Sequence, residues 1–323
     1  MKKFLITGSA GFIGFSLAKR LLSEGHEIVG IDHLNSYYSV ELKKARNAEL
    51  KRHESYEFHR IDVSDREAVG EIFARNQFDA VFHLAAQAGV RYSLENPWTY
   101  IKSNVEGTLA ILEAARHSSG KPHLLVASSS SVYGLSKNYP FREDDPADRP
   151  AALYGATKRE CELMGHAYSH LFGLRVTMLR FFTVYGPWGR PDMALFMFVK
   201  NILDGEEIEV FNGGDMIRDF TYVDDIVEGM IGLEKSRIAP EQPLYDVFNI
   251  GSSSPRRLLD FIGAIEKALG KKARIKMMPF QPGDVYRTYA DVSKLKRVSG
   301  YSPKTSIEEG IAAFVKWYRV FYS

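Results

Sequence analysis

The sequence predicts a doubly wound α/β fold, a parallel sheet with helices on both faces, joined to a smaller, discontinuous C-terminal lobe. Short apolar runs alternate with stretches of helical length through the first half of the chain, and strands separated by helices pair in parallel through crossovers. Glycines at 8, 11 and 14 lie between the first apolar run and the first helix. Past Phe181 the texture changes to loops rich in Gly, Pro and aromatic residues, which marks the start of a different unit.

The first run, Phe4 to Thr7, reads as a strand, because it stops at the glycine loop too soon to be the apolar core of a secretory leader. Glu27 to Asp32, Tyr56 to Asp62, Ala80 to Leu84, His123 to Ser128 and Arg175 to Phe181 are the next strands. Between them, Phe12 to Ser23, Arg66 to Ala74, Tyr100 to His117 and Tyr154 to Phe172 have helical length and apolar faces, with Asp65 as a cap for the second. The cluster from Tyr185 to Pro191 forms a turn-rich lid or wall. Val247 to Ile250 returns to the sheet, and residues 256–281 and 305–322 make a smaller helical lobe. The expected division is a dinucleotide-binding domain of residues 1–180 and 222–253, and a second lobe of residues 181–221 and 254–323.

A chain of 323 residues with 45% hydrophobic and 25% charged residues has the composition of a globular protein. Its net charge is +2, with acidic and basic residues interspersed, so it lacks the basic footprint of a nucleic-acid binder. No run of about 18 apolar residues occurs, so no membrane span is expected. One cysteine, Cys161, allows no internal disulfide; that suits a reducing cytoplasm, and the thiol reads as buried and structural. The histidines show no metal-ligand spacing, and no metal site is expected.

Glycines 8, 11 and 14 follow a strand and open a helix, so they turn the chain tightly and bring backbone amides to a pyrophosphate at the helix N-terminus. Phe12 and Ile13 belong to that cradle. The spacing is G-x-x-G-x-x-G, and the confirming strand-to-helix context is present. Asp32 ends the second strand, where a carboxylate accepts hydrogen bonds from both adenosine ribose hydroxyls and repels a 2′-phosphate. NAD is therefore expected over NADP. Asp62 and Val63 end the third strand within reach of the adenine edge, and Leu84, Ala85 and Ala86 are small where the nicotinamide half passes the backbone. Tyr154 and Lys158, four apart on a helix, share one face. A neighbouring ammonium and a positive nicotinamide lower a tyrosine pKa from about 10 toward neutrality, which makes it a competent base. The run Ser128 to Ser131 just upstream supplies a hydroxyl to complete a proton relay.

Here the sequence resembles the extended short-chain dehydrogenase/reductase family, and within it the nucleotide-sugar 4-epimerases acting on UDP-glucuronate. General markers are Thr7 to Gly14, His83 to Ala86, Asn104, Ser129, Tyr154 and Lys158. More specific are the blocks Ala88 to Pro97, Arg180 to Met193 and Arg218 to Asp225, and the likeness spans nearly the whole chain. The resemblance implies that Tyr154 is the base toward the sugar C4 hydroxyl, that Lys158 orients it and binds the nicotinamide ribose, and that Ser129 bridges hydroxyl and base. It implies Asn104 in the cofactor site, Met193 beside the sugar, Arg218 on the pyrophosphate and Asp284 on the uridine ribose. Gln281 departs from relatives acting on UDP-galactose, which often carry Arg there, and Arg287 is the candidate for the second pyrophosphate contact. The family's 4,6-dehydratases carry Asp-Glu where Ser130 and Ser131 stand, and its UDP-glucuronate decarboxylases tend to have Glu in place of Ser131.

A sugar carboxylate needs cationic and hydroxyl partners, since an unpaired charge in a closed cleft is costly; Arg91, Ser130, Thr183 and Arg190 are the candidates. The expected reaction interconverts UDP-glucuronate and UDP-galacturonate through oxidation at C4, rotation of a 4-keto sugar and re-reduction with tightly bound NAD. Alternatives are a 4-epimerase of neutral UDP-hexoses or N-acetylhexosamines, a UDP-glucuronate decarboxylase, and a non-catalytic NAD-binding scaffold, which usually would have lost Tyr154 or Lys158. Relatives pair the helices beginning near Tyr100 and Tyr154 into a four-helix interface, so a homodimer is expected.

Overall fold

A computed structural model of the chain describes residues 1–236 and 243–322; residues 237–242 and 323, which the predicted division assigns to the two units, lie outside the described residues. The first half runs β1 (Lys3–Thr7), α1 (Phe12–Ser23), β2 (Glu27–Ile31), α2 (Val40–Leu50), β3 (Tyr56–His59), α3 (Arg66–Arg75) and β4 (Ala80–His83). Two single turns, α4 (Tyr92–Glu95) and α5 (Pro97–Tyr100), lead through a π-helical stretch, Ile101–Glu106, into α6 (Gly107–His117). Then come β5 (His123–Ser129), a 3₁₀ turn at Ser130–Tyr133, α7 (Leu153–Phe172) and β6 (Val176–Phe181). The second half holds β7 (Thr183–Tyr185), α8 (Ala194–Asp204), β8 (Glu207–Phe211), β9 (Ile217–Arg218), β10 (Phe220–Tyr222), α9 (Val223–Ser236) and β11 (Tyr245–Ile250). It closes with β12 (Arg256–Arg257), α10 (Leu258–Leu269), β13 (Arg274–Met278), α11 (Ser293–Ser299) and α12 (Ile307–Tyr322).

Seven strands form one sheet in the order β11-β6-β5-β4-β1-β2-β3, with every pairing parallel. The strands are apolar because both faces are covered: β4, β5 and β6 are buried along their whole length. The chain reverses direction between β1 and β4, and the crevice beyond their carboxyl ends is where such a sheet takes a ligand. One side of the sheet packs Phe15, Leu21, Ile226, Met230 and Leu233 into a core, and the other packs Ile72, Ile111, Leu112, Cys161 and Val176. A separate cluster joins Phe196, Val199, Ile208, Phe261, Ile265, Phe314 and Tyr318. Leu295 and Tyr301, late in the chain, pack back against the sheet's core.

Several expectations change in detail. The strand from Tyr56 ends at His59, and the strand before Gly251 starts at Tyr245. The single helix expected from Tyr100 to His117 is instead the end of α5, a π segment and α6. The C-terminal lobe contains short strands besides helices, since β12 pairs β9 and β13 pairs β8. Helices α2, α4, α8, α9 and α11 went unpredicted. In α2 the buried side includes Lys43, Arg46 and Asn47, so the apolar stripe that reveals a helix is interrupted by polar residues. Among the described residues no helix is long and apolar enough to cross a membrane.

Candidate active site

The glycine loop is held by its own backbone. Gly8 donates its amide to Ile31 O at 2.7 Å, and Gly11 donates to Gly8 O at 2.9 Å. Gly8 has φ +71°, and a Cβ there would lie 2.9 Å from Ala85 backbone atoms; a Cβ on Gly14 would lie 2.2 Å from the Gly8 carbonyl oxygen. No larger residue fits this turn. The N-cap Gly11 brings no side chain to the first amides of α1, and no acidic residue occupies its first turn. Those free donors and the helix dipole suit a pyrophosphate. Asp32 is aimed across the loop, its Oδ2 accepting from Ala10 N at 3.2 Å and its Oδ1 from Leu34 N at 2.8 Å. The loop thus has room, donors and a ribose-directed carboxylate, and the residues fit a dinucleotide with a free 2′-hydroxyl.

A cavity of about 380 Å³ runs from this loop, past Tyr154 and Lys158, to Arg218 and Asp284. Gly8, Gly11 to Gly14, Asp32, Val63, Leu84, Ala85 and Ala86 line it at one end, and Ser129, Ser130, Thr183, Arg190 and Met193 line it further on. Three predicted residues are not on this wall. Asp62 accepts from Ser64 N at 3.1 Å and Ser64 Oγ at 2.8 Å and pairs with Lys102 at 3.0 Å. Burial disfavours its charge, but the Ser64 amide, Lys102 and the Ser64 hydroxyl together hold the carboxyl below its usual range. Asn104 stands behind the wall, fully buried; its amide donates to Gln87 O at 3.1 Å and Thr157 Oγ1 at 3.0 Å, and its Oδ1 accepts from Gln87 N at 2.8 Å. Arg91 is exposed, with its guanidinium 4.6 Å from the Phe211 ring centroid.

Tyr154 and Lys158 occupy successive turns of α7 and both face the cavity. Lys158 donates to Ala127 O at 2.8 Å. One turn further, Glu162 accepts from Ser128 Oγ at 2.7 Å and pairs with Arg180 through two bonds of 2.8 Å. Burial works against both charges of that pair, yet each partner stabilises the other, lowering the Glu162 pKa and raising that of Arg180. Two consecutive residues of β5 are thereby tied to two consecutive turns of α7. Ser129 Oγ accepts from Ser131 N at 3.1 Å and bonds the Ser131 hydroxyl at 3.2 Å, which turns the strand end into the 3₁₀ turn below Tyr154.

Beneath Leu84 to Ala86, a chain of hydrogen bonds is buried. Ala85 N donates to Thr7 Oγ1 at 3.0 Å, Thr7 Oγ1 lies 2.8 Å from His83 Nδ1, and His83 Nε2 lies 3.1 Å from Thr108 Oγ1. Thr108 continues to Cys161 Sγ at 3.3 Å, and Cys161 donates to Asn104 O at 3.3 Å. Burial, followed by the charge on Lys158, lowers the His83 pKa to about 3.

At the far end, Arg218 donates to Asp284 Oδ1 at 2.7 Å and Val285 O at 2.6 Å. Burial lowers its pKa against the pull of Asp284. The two residues expected on the pyrophosphate and uridine ribose therefore meet in one ion pair. Gln281 Oε1 and Arg287 Nε are buried nearby in sequence without hydrogen-bond partners in the protein. Arg190 is paired as well, with Nε donating to Asp192 Oδ1 at 3.0 Å and Nη2 to Asp192 Oδ2.

Sequence reasoning missed Lys43, Tyr37 and Tyr38, which line the cofactor end of the cavity. Lys43 donates to the Asn35 carbonyl at 2.7 Å, sits 4.2 Å from the Tyr38 ring centroid, and has its pKa lowered to about 8, chiefly by burial. The only signal for it was a lysine and an arginine at helical spacing, 43 and 46, which ordinarily marks a solvated face.

Comparison with known proteins agrees with this geometry. Residues 4–251 match the model of the NAD dependent epimerase/dehydratase family. Protein CapI of Staphylococcus aureus is 49% identical over 99% of both chains. A probable UDP-glucuronate 4-epimerase of Rhizobium meliloti is 46% identical over 98% of this chain and 96% of its own. The crystal structure of UDP-glucuronic acid 4-epimerase from Bacillus cereus, in complex with UDP-glucuronic acid and NAD, superposes with a TM-score of 0.91 at 33% identity, covering 99% of this chain and 100% of that one. With a glycine cradle, a Tyr-Lys pair and one cavity joining them, the chain belongs to the NAD dependent epimerase/dehydratase family.

Proposed function

We propose that this protein interconverts UDP-glucuronate and UDP-galacturonate with a retained NAD. The observation that carries the reading is the lining of the middle of the cavity. Around Tyr154 it offers the hydroxyls of Ser129, Ser130, Ser131 and Thr183, and the only carboxylates among the described lining residues are Asp32 and Asp284, at the two ends. A second acid or base beside the sugar, which elimination of the C6 hydroxyl requires, is absent from that lining. Hydroxyl donors suit a C6 carboxylate, and close relatives named for UDP-glucuronate support the same substrate.

One NAD, not consumed overall, supplies the two-electron oxidation and re-reduction of the sugar C4. Tyr154 accepts the C4 hydroxyl proton as C4 is oxidised and returns it after the 4-keto sugar has turned about its bond to the nucleotide. Lys158 orients Tyr154 and binds the nicotinamide ribose, and Ser129 relays the proton. Asp32 and the amides of Gly11 to Gly14 hold the cofactor, with Val63 and Leu84 to Ala86 shaping its walls; Asp62 and Asn104 act on it through the rim and the wall behind. Arg218 and Asp284 take the nucleotide end. Ser130, Thr183, Met193 and Arg190 surround the sugar, with Arg91 at the mouth. The lobes divide as residues 1–180 with 222–253 and 181–221 with 254–323, a reading supported by the separate clusters of the sheet and of Phe196, Phe261 and Phe314. The cytoplasm is the proposed compartment, where a thiol such as Cys161 stays reduced.

The test is NMR of purified protein with UDP-glucuronate and no added cofactor, following the anomeric signals. The expected outcome is UDP-galacturonate accumulating to a mixture of epimers. A UDP-pentose product would overturn the reading of the serines, and turnover of UDP-glucose alone would overturn the reading of the sugar pocket.

A further inference from the structure

The cofactor end of the cavity has a roof built from two segments far apart in sequence. One follows β2 and carries Tyr37 and Tyr38 into α2; the other, residues 186–193, joins β7 to α8. Arg46, 0% exposed, binds both segments to the glycine loop. Its Nη1 donates to Ala10 O at 3.0 Å and Tyr38 Oη at 2.8 Å, and its Nη2 to Trp188 O at 2.5 Å and Gly189 O at 3.3 Å. A buried guanidinium committed to carbonyl acceptors is costly to uncouple, because no water replaces the lost bonds. The outer edge is closed by a single bond from Tyr37 Oη to Asp192 Oδ2, at 3.0 Å. Asp192 in turn grips Arg190, and both Tyr37 and Arg190 line the same cavity as Gly11 and Asp32. Neither Tyr37 nor Asp192 has a task in the proton chemistry.

Resting on the assignment of NAD to the glycine loop, we propose that Tyr37 and Asp192 are positioning residues whose mutual hydrogen bond latches the 186–193 segment over the bound dinucleotide and slows its release. Arg46 acts as the fixed hinge and Tyr37 as the bolt. The geometry gives a physical origin to NAD staying bound through turnover, since the dinucleotide shares its enclosure with a bond between segments 155 residues apart.

The full-length protein is purified with its NAD, transferred to cofactor-free buffer, and released nucleotide is measured over time by chromatography, with no sugar present. Tyr37→Phe removes one hydroxyl and keeps the ring that lies 4.7 Å from Tyr92; Asp192→Ala removes the acceptor. Both are expected to release NAD roughly tenfold faster, the scale of one hydrogen bond to a charged acceptor. The double variant is expected to release no faster than Asp192→Ala, because both changes break the same bond. Release within twofold of the unaltered protein in both single variants, or additive effects in the double, overturns the latch. An unaltered protein that holds no NAD overturns the cofactor assignment instead. Should one single variant fail to fold, judged by circular dichroism, the other decides the question.

Discussion

Two threonine hydroxyls enclose the buried His83 imidazole. Thr7 Oγ1 accepts the Ala85 amide and still has a proton and a second lone pair to offer Nδ1, so a neutral ring is satisfied at both nitrogens. With a folded pKa of about 3 and an ordinary unfolded value of about 6.5, the imidazole binds a proton more readily in the unfolded chain. Its stabilising contribution is complete above the unfolded pKa and is lost as pH falls from about 6.5 toward 3, by about 1.4 kcal/mol per pH unit. His83→Asn, which can still accept and donate but does not titrate, is expected to be less stable at pH 7.5 and to close that gap by roughly 2 kcal/mol by pH 5. Urea unfolding of both proteins at a series of pH values reads this directly, and parallel stability curves would show that His83 is not held neutral. At this scale, the residues legible in the sequence were those that a strand-end turn or a single helix brings to the cavity wall: the glycines, Asp32, Tyr154 and Lys158. Arg46 and Asp192 were illegible because their partners, Trp188 and Tyr37, are distant in the chain, and nothing in the local pattern of either segment names the other.

Helix α7 owes its placement to what its N-terminus lacks. A Cβ on Gly155 would lie 2.5 Å from the Ser131 carbonyl oxygen and 3.1 Å from Pro150 Cβ, and the nearest of these is backbone that cannot rotate away. Alanine is the better helix former by about 1 kcal/mol, so Gly155→Ala sets a propensity gain against a forced shift between α7 and the 3₁₀ turn. Because Tyr154 is the preceding residue and Ser129 to Ser131 lie opposite, that shift falls on the proton relay. The variant is expected to keep a melting temperature within a few degrees of the unaltered protein while losing at least tenfold in kcat, with KM for the nucleotide sugar little changed, as positioning errors on the order of 1 Å carry such costs. Steady-state kinetics beside thermal melts separate the two effects; unaltered kcat would show that the turn yields without moving Tyr154. The sequence revealed α7 through its length and apolar spacing, and the sheet strands through short apolar runs between helical stretches. It concealed the π segment between Tyr100 and Gly107, because one extra residue in a turn leaves hydrophobic periodicity nearly intact. It concealed α2, despite the Ser39 cap, because polar and charged residues interrupt its inner face.

At the scale of the whole molecule, the sheet's helices leave apolar surface without an intramolecular partner. Trp98 is 79% exposed, Leu109 40% and Leu163 56%. Spacings of three and four place Trp98, Ile101, Val105 and Leu109 along one side of the α5-to-α6 segment, and Ala156, Glu160, Leu163 and Ala167 along one side of α7, a mainly apolar stripe. These two helices pack against each other in the chain, so their outward stripes adjoin, and an exposed apolar patch of that kind marks an association site. A second copy is the occupant that fits best, because a two-fold axis brings the same two helices from each chain together and buries both stripes at once in a four-helix contact. The catalytic helix would then be clamped on both sides: inward by the Glu162–Arg180 pair, outward by its counterpart. The unaltered protein is expected to sediment at twice the chain mass, and Leu109→Glu combined with Leu163→Glu to sediment as the single chain, because burying two carboxylates per copy in an apolar contact costs several kcal/mol. Loss of kcat in that monomer with NAD still bound would show that the outer clamp also serves Tyr154, whereas a wild-type monomer, or a variant that still sediments as a dimer, would move the interface off these helices altogether.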